Sequence, residues 1–77
     1  MTEKEQTFGE RAVGLSFNPS GDNAVGELKQ RAAEFIDACH ELRTAAKDAE
    51  VQRMYSIAIT EAQTAQMWAV KAATWRS

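Results

Sequence analysis

Scarcity is the first thing this chain shows: 77 residues hold one cysteine, one proline, one histidine and four glycines. With Cys39 alone, no intrachain disulfide can form. One histidine and one cysteine also supply too few soft ligands for a metal centre. Cys39 and His40 are sequence neighbours, so on a helix their side chains diverge, whereas a nucleophile and its base must converge. Neither a P-loop nor a dinucleotide-binding glycine fingerprint occurs. Carboxylate pairs such as Glu34 and Asp37 fit a helix surface better than acid–base work. These absences lead us to expect a protein that is not an enzyme and that carries no cofactor and no metal. The net charge of −2 argues against the broad basic surface that duplex nucleic acid requires. No stretch approaches transmembrane length. Thr2 to Gln6 is polar and lacks the apolar run of a signal peptide. In Asn18-Pro19-Ser20 the middle proline rules out N-glycosylation. A cytoplasmic protein without membrane contact is expected.

What is present is helix-forming. Apolar residues make up 44% and charged residues 26% of the chain, ordinary values that argue for a folded domain. At this length there is room for one domain, residues 1–77, and its core is marginal without a disulfide, a metal or a partner chain. Residues from about Glu3 to Val13 form a short helix in this reading, with Phe8, Ala12 and Val13 or Leu15 on its apolar side. A turn over 14–21 follows. A long helix is then expected over 22–46, capped by Asp22 or Ser20. Its apolar stripe reads Val25, Leu28, Ala32, Phe35, Cys39, Leu42 and Ala46 in steps of three and four. Glu27, Arg31, Glu34, Glu41 and Lys47 make its solvated face. A reversal near Lys47-Asp48 leads into a second long helix over 49–75, so the pair reads as an antiparallel hairpin. On the second helix, Val51, Met54 or Tyr55, Ala58, Ala62, Ala65, Ala69 and Ala72 form a small-residue stripe suited to close packing on the first. Ile57, Ile59, Met67, Trp68, Val70 and Trp75 lie outside it. Two helices cannot bury them all, and self-association is the expected outcome. The fold class is therefore all-α: a short N-terminal helix and a long antiparallel hairpin, assembled as a homo-oligomer.

Two segments are candidates for binding. Phe17-Asn18-Pro19-Ser20-Gly21-Asp22 is a turn feeding a helix N-terminus, where unpaired backbone N–H groups and the helix dipole suit an anion. Lys29 lies about two turns further along the same helix. An aromatic face, backbone donors and a lysine are the parts needed to hold a nucleotide-like phosphate, although such turns more often only connect elements. In the second segment, Thr64, Trp68, Lys71 and Trp75 share one helix face. That strip suits stacking on bases with a phosphate nearby, and it suits an oligomer interface better still.

The stretches Phe8–Asp22 (FGERAVGLSFNPSGD), Met54–Glu61 (MYSIAITE) and Ala65–Lys71 (AQMWAVK) resemble a family of small bacteriophage proteins. These are the cyclic-nucleotide sponges that counter CBASS, the bacterial defence that signals through cyclic oligonucleotides. The resemblance covers nearly the whole chain, and its most specific parts are the Asn-Pro-Ser-Gly turn and the Met-Trp-Ala-Val-Lys segment. It implies helical protomers that interlock into dimers and then a hexamer. It also implies cyclic dinucleotides held uncleaved in pockets shared between protomers, with cyclic trinucleotides at separate sites in some members. The setting implied is the cytoplasm of an infected bacterial host. The family binds with an aromatic that stacks on a base and a lysine that meets a phosphate. Carried over, the aromatic is Phe17, beside Asn18, Pro19 and Ser20; the lysine is Lys29 first and Lys71 second. A tyrosine is the more familiar stacking residue, so Phe17 forgoes any phenol hydrogen bond. The rival reading is an oligomeric helical scaffold or adaptor with no small-molecule ligand.

Overall fold

A computed structural model describes residues 5–18 and 21–76. Its three helices are α1 (Phe8–Val13), α2 (Asn23–Ala45) and α3 (Ala49–Ala73). No strand occurs among the described residues, and α2 and α3 pack as a helical hairpin with α1 laid mainly against α2.

Each helix boundary has a local cause. Thr7 caps α1 in extended backbone: its side chain accepts from the Glu10 amide at 3.0 Å while the Glu10 carboxylate accepts from the Thr7 amide at 2.9 Å. This reciprocal cap starts the helix at Phe8, later than the expected Glu3, because an extended Thr7 cannot continue it backwards. Part of the expected stretch, residues 3 and 4, lies outside the described residues. At the other end Gly14 takes φ +63°, where a side chain would be strained. Its amide donates to Arg11 at 3.2 Å and the Leu15 amide donates to Glu10 at 2.9 Å, closing the helix in a Schellman pattern. Asp22 caps α2, with Oδ1 accepting from the Ala24 amide at 2.8 Å; Asp48 caps α3 in the same way through Glu50.

The core is Val13, Ala33, Ile36, Cys39 and Ile59, with Phe8, Ala12, Leu15, Tyr55, Ala58 and Ala62 packed around it. The expected α2 stripe is therefore rotated. Val25 and Cys39 are buried as expected, but Phe35 and Leu42 are each 53% exposed, and the inward face runs Val25, Lys29, Ala33, Ile36. On α3, Tyr55, Ala58 and Ala62 of the expected stripe pack against the core, but the buried positions are Ile59 and Gln66, and Ala65 and Ala72 are exposed. The physical reason is that a stripe drawn through apolar residues skips the buried polar positions: Lys29 on α2, whose ammonium finds two carbonyl partners, and Gln66 on α3.

The attachment of α1 is close and partly polar. A Cβ on Gly9 would lie 2.2 Å from the Ala33 carbonyl oxygen, so only glycine allows this approach. The Gly9 amide donates to Asp37 Oδ1 at 2.7 Å, and Gln63 Nε2 donates to the Ala12 carbonyl at 3.2 Å. Asp37 is thus a half-buried tether for α1 and not merely helix surface.

Candidate nucleotide site

The turn between α1 and α2 displays an aromatic ring. The Phe17 amide donates to the Gly14 carbonyl at 2.9 Å, a tight turn made possible by the left-handed Gly14. The ring itself is 71% exposed. Asn18 Nδ2 donates back to the Asp22 carbonyl at 3.0 Å, and the Gly21 amide donates to the Asn18 carbonyl at 3.0 Å, so the far side of the turn is tied to the start of α2. Pro19 and Ser20, both sequence-derived site candidates, lie outside the described residues. The N-terminus of α2 is not bare: the Asp22 carboxylate already takes the Ala24 amide.

Lys29 stands behind this turn. It is only 6% exposed, and its Nζ donates to the Gly14 carbonyl at 3.0 Å and to the Phe17 carbonyl. Nζ also lies 5.4 Å from the centre of the Phe17 ring, within cation–π range. An ammonium has three N–H donors, so two are committed inside the protein and one remains. The structure thus places Lys29 against Phe17, with Asn18 next along the turn tied to Asp22.

Lys71 lies elsewhere, on the exposed face of α3. Its Nζ is 5.4 Å from the Trp68 ring, and with Trp68, Ala72 and Trp75 it lines an open hollow of about 410 Å³. Trp68 and Trp75 are 66% and 65% exposed. The two candidate lysines thus belong to two different places on one chain, each paired with an aromatic ring.

A third cluster escaped the sequence reading. The Phe8 ring stacks on His40 at 4.2 Å and 8°, and the Arg43 guanidinium carbon sits 5.6 Å from the same ring. Arg43 Nη1 donates to Ser56 Oγ at 2.9 Å, and Nη2 lies 2.9 Å from His40 Nδ1. A guanidinium can only donate, so Nδ1 is the acceptor in this pair. The cluster joins all three helices. The three-residue step from His40 to Arg43 was its only sequence signal, since nothing in the spacing ties either residue to Phe8.

Among the described residues no group of three or more histidine, cysteine or carboxylate side chains is arranged to hold a metal ion, and no helix is long and apolar enough to cross a membrane. The family model described as the Acb2/Tad1 hairpin domain matches residues 10–74, a span holding Phe17, Lys29, Lys71 and the whole of the hairpin. No curated protein and no solved structure matches the chain.

Proposed function

From the premise that the chain belongs to the Acb2/Tad1 hairpin family, the family of anti-CBASS sponges, we propose that it binds cyclic dinucleotide signals and sequesters them without cleavage. It thereby keeps CBASS effectors inactive in the cytoplasm of a phage-infected bacterium. The single observation that carries this reading is the family match across residues 10–74. The geometry supports it: Phe17 offers an open ring for a base to stack on, held on a turn whose backbone is tied down on both sides. Base–aromatic stacking contributes about 1–3 kcal/mol per base, enough to matter in a small ligand. Lys29, with one uncommitted N–H, and the exposed Lys71 are the two candidate partners for phosphate. Cyclic trinucleotides are the second ligand class.

The same reading makes the functional unit a homo-oligomer, a hexamer as in the family resemblance. Support comes from apolar side chains that the single chain leaves uncovered: Phe35 and Leu42 on α2, and Met54, Ile57, Met67 and Trp68 on α3. Sequestration needs slow release and no turnover, and a pocket shared between protomers serves that by enclosing the ligand. The exposed Trp68 and Trp75 favour a second reading, a helical scaffold that binds protein through these rings.

Isothermal titration with a 3′,3′-linked purine cyclic dinucleotide, followed by denaturation and recovery of the ligand, separates the readings. Tight binding with intact ligand recovered is the expected result. Shortened or linearised ligand would make the protein an enzyme. No heat and no change in melting temperature across cyclic di- and trinucleotides would leave the scaffold standing.

A further inference from the structure

We infer that Lys29 is a positioning residue: it acts on the ligand through Phe17, by bracing the turn that presents the ring, and not through a separate contact of its own. The inference rests on the proposed sponge function and deepens it. Three observations meet at one nitrogen. The side chain is 6% exposed, on the inward face of α2 between Val25 and Ala33. Its ammonium spans the turn, donating to the carbonyls of both Gly14 and Phe17. It also lies beneath the Phe17 ring at 5.4 Å.

An ammonium withdrawn from water has to be compensated, and here two carbonyl dipoles and a ring face do so. The two carbonyls lie on either side of the turn: the Gly14 carbonyl receives the Phe17 amide as well as the ammonium, while the Phe17 carbonyl, the last polar group before the Asn18–Asp22 bracket, takes the ammonium. Lysine and turn thus satisfy each other, and the ring is carried on the result. A phosphate competing for Nζ would have to displace one of these bonds or make do with the one remaining N–H. A cation placed to greet a phosphate is normally exposed; Lys71 has that character and Lys29 does not.

The test is a double-mutant cycle on the full chain, with a 3′,3′-linked purine cyclic dinucleotide as probe. Lys29→Met and Phe17→Ala are each expected to weaken binding roughly 5- to 150-fold, the range that loss of one stacked base implies. If Lys29 acts through Phe17, the double variant is no worse than about threefold below the weaker single variant, because the ring has only one contribution to lose. Multiplying losses would overturn the inference and assign Lys29 its own phosphate contact.

The second readout is amide hydrogen exchange in the ligand-free protein. In Lys29→Met the Phe17 amide is expected to exchange about tenfold faster or more, while amides around Cys39 and Ile59 keep their protection. Unchanged Phe17 exchange also overturns the inference, and loss of protection everywhere would make Lys29 a general stability residue instead. If Lys29→Met does not fold, Gly14→Ala strains the same turn at φ +63° with the charge kept, and it too must weaken binding. Failure of the functional reading looks different: the wild-type chain then binds no cyclic nucleotide, whatever the exchange arm shows about the brace.

Discussion

Gly9→Ala is the sharpest test of how α1 is fastened, because the structure opposes two effects of known sign. Alanine is the better helix former and by itself favours α1 by up to about 1 kcal/mol. Against this, the added Cβ would stand 2.2 Å from the Ala33 carbonyl oxygen and 2.9 Å from Asp37 Oδ1. The first of these is backbone within α2 and cannot swing aside, so the helices must separate; overpacking of this kind costs about 1–3 kcal/mol. Separation also lengthens the 2.7 Å bond from the Gly9 amide to the Asp37 carboxylate, a charge-assisted contact of about 1.5–3 kcal/mol. The net is a loss of about 1.5–5 kcal/mol once a propensity gain of about 1 kcal/mol is subtracted. At about 4–8 °C per kcal/mol for a domain of this size, the melting temperature by circular dichroism should fall by roughly 6 °C or more. Protomer concentration must be held fixed, since association shifts the transition. The control is Gly26→Ala in α2, where a Cβ comes no nearer than 3.8 Å to any group, Asn18 Nδ2. There the propensity gain of up to about 1 kcal/mol acts almost alone and the melting temperature should rise. A Gly9→Ala protein that melts at or above the wild type would refute the close approach of α1 to α2.

Three further outcomes follow from single contacts. Thr7→Ala removes the reciprocal cap of α1 and should cost about 1 kcal/mol in urea unfolding, with Thr7→Asn close to wild type. Replacing Trp68 and Trp75 together by serine should lower the association state seen by sedimentation velocity if that exposed face joins protomers; an unaltered distribution would assign the assembly to other surfaces. The Arg53 guanidinium holds the Glu50 carboxyl below its ordinary value. A lowered folded-state pKa adds stability above the unfolded value and loses it as pH falls through the lowered one. Both side chains are well exposed, so solvent screens the pair, and the acid limb of the melting profile should superimpose in Glu50→Gln and wild type.

The helical hairpin was legible because its evidence repeats many times along the chain: capping residues at Asp22 and long runs without proline or glycine. What failed was the choice of face. Periodicity at 3.6 residues tolerates a rotation by one position, and an apolar count decides between rotations wrongly when a buried site is polar. Lys29 and Gln66 are such sites, and leaving them out turned Phe35 and Leu42 inward on paper when both face outward. The start of α1 was missed for another reason: a cap is one residue's geometry, and Thr7 carries no periodic signal. For the candidate site, Phe17 and Lys29 could be named from residue type and family pattern. That Lys29 is sunk behind the turn depends on the rotation of α2, which the pattern misjudged.

These points combine into a requirement on the proposed binding end. A ring displayed on a short turn stacks well only if its position is settled before the ligand arrives, because ordering a mobile segment on binding subtracts from affinity. This chain settles it in series. Gly9 lets α1 lie close on α2 under the Asp37 tether, Gly14 ends α1 sharply, and Lys29 clamps the turn that results. The first two links stand among neutral or tethering groups, where no ligand contact is offered, yet each fixes where the third must act. Substitutions at Gly9 and Gly14 should therefore weaken nucleotide binding without either residue approaching the nucleotide, and the loss should track exposure of the Phe17 amide more closely than it tracks melting temperature. A variant series in which affinity followed global stability alone would break this chain of dependence.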